Sequence, residues 1–299
     1  MNAKLRRAAI ALGILLAGWA ASSFVALELL RRRAKPAFAE PRPAAWAGKC
    51  EELRLSTRDG ESLGAWFVDA AESAAPTVVL LHGKGGARGS RVGAANVFLS
   101  AGCATLLVTH RAHGDSSGER EDFGWSARED VLTAVDWAAQ RRPGAPIVVC
   151  GTSLGGAAAV FAGAELGPRV AGYILECVYV DLQSAAKRRC ELHLPPVLST
   201  LAFAGLRAAA AVSWPQWSEI APLRRIRELR APVLILAGGA DRHSPPEEAR
   251  ALQAQIPDRS RLVLIENAHH DRLLAADAAA YERAVREFLG QLSTSPPIK

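Results

Sequence analysis

Six short apolar runs, separated by longer helical stretches, constrain the fold of this chain more than any other feature. The runs are rich in β-branched residues and leucine, as buried strands are, and the stretches between them, such as 126–140 and 246–255, predict helices. Strands that alternate with helices predict an α/β fold with a mostly parallel sheet covered on both faces. A hairpin around Asp59-Gly60 is expected to precede them. The six predicted strands are TVVLL (77–81), ATLLVT (104–109), PIVVC (146–150), GYILECVYV (172–180), PVLILA (232–237) and RLVLIE (261–266).

One interval is too long for a simple crossover. About 50 residues separate Val180 from Pro232, and they include the apolar stretch LPPVLSTLAFAGLRAAAAVSWPQW. A helical cap at about 182–228, over the carboxyl ends of the strands, explains this interval better than a second membrane span. The proline pair and the internal Arg207 both favour the cap.

The N-terminal segment has the composition of a membrane anchor. Ala8 to Leu27 is a run of 20 residues without a charge, the length that crosses a bilayer core of roughly 30 Å. A cleaved signal peptide, with AFA at 37–39 as cleavage site, and a buried core helix are the alternatives. The run is longer than a signal core and basic residues follow it, so an uncleaved anchor over 1–35 and a Pro/Ala-rich linker over 36–49 are expected. The flanking charges give a weak preference for a cytoplasmic domain.

The chain's positive charge belongs to this anchor. Residues 1–42 hold eight basic and two acidic residues, a net charge of +6, which equals that of all 299 residues. The rest of the chain is neutral on balance, which argues against nucleic acid as a partner. Five cysteines without a Cys-x-x-Cys or Cys/His pattern give no indication of zinc, and the sequence predicts neither a metal nor an organic cofactor.

A nucleophile motif lies where the third parallel strand ends. Gly151-Thr152-Ser153-Leu154-Gly155 fits G-x-S-x-G between a predicted strand and a predicted helix. The tight turn this motif forms leaves no room for side chains at the glycines and starts a helix at the serine. Ser153 is therefore the predicted nucleophile.

The partners of a nucleophilic serine follow in the order acid, then histidine. Asp241 lies directly after the strand 232–237, and His269 after the strand 261–266, so both reach the same sheet edge as Ser153. We take His269 as the base and Asp241 as its orienting acid. The adjacent His270 is the competing base. Asp271, His243 and Asp115 are the weaker alternatives, since a near neighbour seldom faces a histidine and the other two fit loop or turn positions.

A tetrahedral intermediate needs two hydrogen-bond donors. The backbone N–H of Leu154, directly after the serine, is the first candidate, and the backbone N–H of Lys84, after TVVLLHG, is the second. The side chain of Lys84 is expected to face solvent, or else to meet an anionic part of the substrate.

Together these motifs resemble the α/β-hydrolase superfamily. The similar landmarks are LLHGKGG, THRAHGDSSGE, GTSLGG, PLRRIRELRAPVLILAGGADRHSP and NAHHDRL, within residues 76–290. The resemblance is to bacterial membrane-anchored hydrolases of the serine aminopeptidase and monoacylglycerol-lipase branches, and it implies an α/β-hydrolase domain over 50–292. It also implies Ser153, Asp241 and His269 as the triad, with Lys84 and Leu154 at the oxyanion hole. His-Gly-Lys and Ala-His-His-Asp stand where these branches often have His-Gly-Asn and Gly-His-Asn.

The expected activity is that of a serine hydrolase for carboxylic esters of apolar or lipid-like acids. An apolar cap suggests a hydrophobic acyl pocket, and an anchor holds the enzyme near lipid. A peptidase or amidase is the enzymatic alternative. A non-catalytic binding protein that kept the fold is the alternative from another class.

Overall fold

A single sheet of eight strands organises the chain. The computed structural model describes residues 2–294, so Met1 and residues 295–299 lie outside the described part. The strands are β1 (Cys50–Ser56), β2 (Ser62–Val68), β3 (Thr77–Leu81), β4 (Ala104–Val108), β5 (Ile147–Thr152), β6 (Gly172–Glu176), β7 (Val233–Gly238) and β8 (Ser260–Ile265).

The sheet is mostly parallel, as the sequence predicts. Its strand order is β1-β2-β4-β3-β5-β6-β7-β8. β1 and β2 form the expected hairpin, with Ser56 opposite Ser62, and β2 pairs antiparallel with β4. All other neighbours are parallel. Because parallel strands end at one edge, the loops after β3, β5, β7 and β8 converge there.

One predicted strand is too long. The run 172–180 predicts a strand through Val180, but β6 ends at Glu176 because Cys177 has a φ of +50°. A left-handed backbone cannot continue a strand. The chain therefore leaves the sheet at Cys177, beside the loop that carries Ser153.

Helices cover both faces of the sheet. Val131, Leu154 and Leu252 belong to the hydrophobic core on one face, and Phe98 and Val285 belong to the core on the other. This is the arrangement that buried parallel strands require. The helices are α1 (Ala3–Arg31), α2 (Val92–Ser100), α3 (Arg128–Arg141), α4 (Leu154–Leu166), α5 (Leu182–His193), α6 (Pro196–Ser213), α7 (Pro222–Arg225), α8 (Pro246–Gln255), α9 (Leu273–Ala276) and α10 (Ala278–Thr294).

The interval between β6 and β7 is helical. α5, α6 and α7 fill it, and the polar α5 packs on the apolar α6. Two helices of the described chain, α1 and α6, are long and apolar enough to cross a bilayer. α1 is almost entirely exposed, whereas α6 buries part of its surface against α1 and α5.

Residues 36–49, expected to be a linker, lie packed on the domain. Glu40 is buried, where its carboxylate accepts a hydrogen bond of 2.6 Å from Thr109 and lies 3.1 Å from the guanidinium of Arg88. Trp46 is buried against the edge of Trp66. This segment therefore fixes the end of α1 to the body of the molecule.

Candidate active site

Ser153 lies on a strained turn between β5 and α4. Its φ of +50° and ψ of −108° place it outside the regions that non-glycine residues ordinarily occupy. The turn packs closely on β3 and itself: a Cβ on Gly155 would lie 2.7 Å from the carbonyl oxygen of His82, and one on Gly151 would lie 2.5 Å from backbone atoms of Gly155. The two glycines of the motif are therefore steric requirements of the turn.

A chain of hydrogen bonds joins Ser153 to a histidine and an aspartate. Nε2 of His270 lies 3.1 Å from Ser153 Oγ, and Nδ1 of His270 lies 2.7 Å from Asp241 Oδ2. With Nδ1–H donating a hydrogen bond to the Asp241 carboxylate, Nε2 carries no proton and can accept the hydroxyl proton of Ser153. This is the arrangement of a serine nucleophile, a base and an orienting acid.

The histidine at this position is His270, and the prediction of His269 is wrong in this respect. His269 is exposed, and its Nδ1 lies 3.1 Å from the backbone oxygen of Ala240. The backbone explains the difference: Ala240 donates to the carbonyl of the buried Ala268, which sets the turn after β8. From that turn His269 points to the outer side of the Asp241 loop and His270 points inward to the Asp241 carboxylate.

Asp241 is buried and ionised. Burial alone would raise the pKa of its carboxyl group, but the hydrogen bond from His270 and the backbone N–H groups of Ser244 and His243 lower that pKa below the ordinary value. The two N–H groups donate to Oδ1 at 3.0 and 2.7 Å. Asp241 thus presents one fixed oxygen to His270.

The loop after β3 lies beside the serine. A Cβ on Gly83 would lie 3.5 Å from Ser153 Cβ, so the Gly83–Lys84 backbone borders the space in front of the nucleophile. Leu154 opens α4, and its N–H belongs to the free amino end of that helix. Both predicted oxyanion donors therefore belong to segments that adjoin Ser153.

Neutral histidines hold this loop. His82 Nε2 accepts from the N–H of His110 at 3.0 Å, and His113 Nε2 accepts from the N–H of Gly85 at 3.1 Å. Burial lowers the pKa of His82 well below its ordinary value and lowers that of His113 to about 4. Both imidazoles are therefore neutral acceptors near pH 7.

The side chain of Lys84 is not where the sequence predicts it. Instead of facing solvent or a substrate, its ammonium contacts the carboxylate of Glu121, lies 4.3 Å above the ring of Phe123 and donates to the backbone oxygen of Leu30 at 2.8 Å. Leu30 is at the end of α1. Lys84 thereby connects the loop beside the nucleophile to the N-terminal helix.

Cys177, Asp241 and His270 offer three ligand atoms within 4.8 Å of one another. Asp241 and His270 are already engaged with each other and with Ser153. Burial, with Asp241 nearby, raises the pKa of the Cys177 thiol well above its ordinary value. The thiol is therefore protonated, which disfavours metal binding.

Comparison with known proteins identifies the family of this chain. The family model described as "Serine aminopeptidase, S33" matches residues 72–219, and the one described as "TAP-like protein" matches residues 204–296. The chain belongs to the α/β-hydrolase superfamily. Both its fold class and the resemblance seen in its motifs are confirmed.

Individual relatives of this hydrolase are distant. It is 27% identical over 241 residues to the uncharacterized protein Rv2307c of Mycobacterium tuberculosis, covering 80% of this chain and 78% of that one. It is 36% identical over 92 residues to the lysophosphatidylserine lipase ABHD12 of Gallus gallus, covering 30% of this chain and 24% of the lipase. The Pyrococcus furiosus esterase Pf2001 superposes with a TM-score of 0.70 at 20% identity, over 86% of this chain and 96% of the esterase, which shows a common fold.

A buried ionic network under Ser153 was not predicted from the sequence. Glu176, at the end of β6, accepts from Thr152 at 2.5 Å and Tyr281 at 2.6 Å, and it pairs with Arg91 at 2.8 Å. Burial raises the pKa of Glu176, but Arg91 and these hydrogen bonds bring it below its ordinary value. The backbone oxygen of Glu176 also accepts from the N–H of Ser153 at 2.8 Å. The only sequence signal is a charged residue, Glu176, inside the apolar run 172–180.

A cleft beside Asp241 is lined by several charged side chains. A cavity of about 520 Å³ lies between α5 and the Asp241 loop, lined in part by Arg188, Glu191, Asp241 and Arg242. The apolar residues Val197, Leu198, Leu201 and Val212 of α6 are exposed on the outside instead. These side chains of α6 therefore do not line that cavity.

Proposed function

We propose that this hydrolase is a membrane-anchored serine esterase, in which Ser153 is the nucleophile, His270 the base and Asp241 the orienting acid. One observation carries the proposal: the continuous hydrogen-bonded chain from Asp241 through His270 to Ser153, at 2.7 and 3.1 Å. The strained backbone of Ser153 supports it, because strain of this kind is retained at functional sites.

In the proposed reaction, Nε2 of His270 takes the proton of Ser153 as Oγ attacks the ester carbonyl carbon. The backbone N–H groups of Leu154 and Lys84 are proposed to stabilise the oxyanion of the tetrahedral intermediate. His270 then gives its proton to the departing alcohol, leaving an acyl group on Oγ. Water, deprotonated by the same imidazole, attacks the acyl carbon, and the carboxylic acid leaves as Oγ regains its proton.

Lipid-like esters are the proposed substrates because the site lies at the end of the proposed anchor. Lys84 donates to the last turn of α1 through Leu30 and adjoins Gly83, whose backbone borders Ser153. The proposed anchor therefore lies about the length of one lysine side chain from the loop beside Ser153. The similarity to a lysophosphatidylserine lipase supports the same substrate class.

We also propose that α1 remains attached and spans a membrane. The residues after the apolar run are built into the domain: Arg33 donates to the carbonyl oxygens of Gly114, Ser116 and Gly118 at 2.5–3.0 Å. Cleavage after Ala39, the alternative, would remove these contacts.

A fluorophosphonate probe tests the proposed nucleophile. We expect the wild-type chain in detergent to be labelled and Ser153→Ala to be unlabelled. Ser100→Ala, which removes an exposed serine hydroxyl at the end of α2, is the control and should still react. A folded wild-type chain that resists the probe would contradict the proposal and favour a non-catalytic binding protein.

Asp271 supports an amidase as the second candidate. Its carboxylate is about half exposed and lies 3.6 Å from Nε2 of His270, close enough to hold the ammonium group of an aminoacyl substrate. Rates on p-nitrophenyl esters and on aminoacyl anilides separate the two activities. Faster anilide hydrolysis, abolished in Asp271→Asn, would favour the amidase.

A further inference from the structure

The connection between α5 and α6 presents five consecutive apolar residues to the outside. We name Leu194–Leu198 the hairpin tip: all five residues are exposed, with 73% of Val197 and 53% of Leu198 accessible. An exposed apolar run of this length is unfavourable in water and marks an interaction surface.

α6 lies alongside α1 and runs in the same direction. Trp19 Nε1 donates to the carbonyl oxygen of Leu201 at 3.2 Å. Further along, a Cβ on Gly205 would lie 3.0 Å from Ser23 Cβ, so small residues let the two helices approach closely. At the end, the guanidinium of Arg31 lies 4.4 Å from the ring of Trp214. The paired residues differ in number by 182, 182 and 183, so the register stays constant over three turns.

This register fixes the depth of the hairpin tip relative to α1. Subtracting 182 places Leu194–Leu198 level with Leu12–Leu16, in the first half of the uncharged run Ala8–Leu27. A bilayer that surrounds this run therefore also surrounds the hairpin tip. Arg207 falls near the end of the run, where its long side chain can reach the headgroups.

The polar residues nearest the hairpin tip lie on α5, where His193 directly precedes Leu194 and its ring lies 6.4 Å from that of His243. On α5, Lys187 and Glu191 lie 3.6 Å apart and offset each other. At the other end of α6, the exposed Arg32 follows the apolar run of α1, where its charge suits anionic headgroups. The apolar end of the α5–α6 hairpin and the basic end of α1 thus match the interior and the surface of one membrane.

We propose that the hairpin tip Leu194–Leu198 is inserted in the acyl region of the lipid bilayer beside α1, making the cap a second membrane contact. The inference rests on the proposed anchoring by α1. It goes further, because it assigns a membrane-embedded role to a segment 160 residues beyond that helix.

The test uses the full chain and measures how deeply labelled positions lie in a lipid bilayer. Single cysteines replace Leu12, Val197 or Val212 in a Cys190→Ser background, since Cys190 is half-buried and the other four native cysteines are buried. Each carries an environment-sensitive nitrobenzoxadiazole label in phosphatidylcholine–phosphatidylglycerol vesicles. Nitroxides on lipid acyl chains or headgroups act as quenchers. Val197 and Val212 are a matched pair, with exposures of 73% and 75% on one helix.

We expect the labels at Leu12→Cys and Val197→Cys to emit at blue-shifted wavelengths and to be quenched by acyl-chain nitroxides. The label at Val212→Cys, level with the basic end of α1, should be quenched better by headgroup nitroxides. Water-like emission at 197 with quenching at 12 overturns this inference and leaves the anchor intact. Water-like emission at both positions overturns the anchor as well. If the blue shift and the acyl-chain quenching at position 197 disappear when the lipid-to-protein ratio is raised, the hairpin tip contacts a second copy of the chain. That result would overturn the proposal.

Discussion

At the scale of single residues, the direction of one imidazole determines which groups can exchange a proton. His270 contacts both Asp241 and Ser153, while its neighbour contacts only the backbone oxygen of Ala240. An imidazole bonded to a carbonyl outside the site has no path to the serine hydroxyl. The proposed chemistry therefore depends on His270 and tolerates changes at His269.

Replacing the two histidines separately tests this assignment. We expect His270→Ala to lower kcat on a p-nitrophenyl ester by on the order of 10⁴- to 10⁶-fold, because the base is lost. His269→Ala should keep kcat near the wild-type value. The two variants control for each other, and equal thermal unfolding midpoints would exclude unfolding as the cause. A large loss in His269→Ala alone would contradict the assignment.

The sequence predicts Ser153 and Asp241 because their signals are local. Ser153 has a motif whose glycines are steric requirements, and Asp241 directly follows an apolar strand. The sequence does not show whether His269 or His270 is the base, since both follow the same strand. Only the turn through Ala268 decides which of the two points inward. Long-range contacts, such as those of Lys84 with Leu30, leave no local pattern at all.

At the scale of elements, the carboxyl end of β6 supports the nucleophile turn. Glu176 joins three elements: Thr152 ends β5, Arg91 lies just before α2, and Tyr281 lies in α10. Its backbone oxygen also holds the N–H of Ser153. A buried carboxylate with this many partners fixes relative positions, and its loss leaves Arg91 charged and unpaired in the core.

Glu176→Gln is therefore expected to destabilise the domain by about 3–5 kcal/mol, the usual cost of removing one partner of a buried ion pair. Glu165→Gln makes the same chemical change in a pair with Arg58 whose side chains are about half exposed, and it should have little effect. Chemical denaturation of both variants measures the difference. Equal unfolding midpoints would show that the network is not structurally important.

The sequence predicts helices and strands well where the spacing of apolar residues shows which side of the element is buried. The β1–β2 hairpin, the parallel strands and helices α3 and α8 follow from local pattern. The early end of β6 does not, because a left-handed Cys177 is imposed by packing rather than by its residue type. The apolar composition of α6 is visible in the sequence, but which face of it is buried depends on its pairing with α1, about 182 positions away.

At the scale of the whole molecule, the N-terminal helix and the domain form one connected structure. Arg33, Glu40 and Trp46 bind the segment after α1 to the loops around residues 88–118 and to the sheet edge. A helix exposed over most of its surface, yet fixed at its end, is what an anchor of defined orientation requires. The exposed apolar surface of α1, where Leu15 is 70% exposed, fits the proposed insertion in a bilayer.

Membrane extraction tests this architecture. We expect the full chain, expressed in bacteria, to stay with membranes in alkaline carbonate, to need detergent for release and to keep the mass of an unprocessed polypeptide. Leu15→Arg puts a charge in the middle of the run, where it costs about 2.5–3.5 kcal/mol for insertion, and should shift the chain toward the carbonate-soluble fraction. Leu29→Arg, at a residue of similar exposure beside Arg31–Arg33, is the matched control and should stay in the membrane. A soluble wild-type chain beginning at Glu40 would instead identify α1 as a cleaved signal, and Arg33 could then no longer hold the loop at Gly114–Gly118.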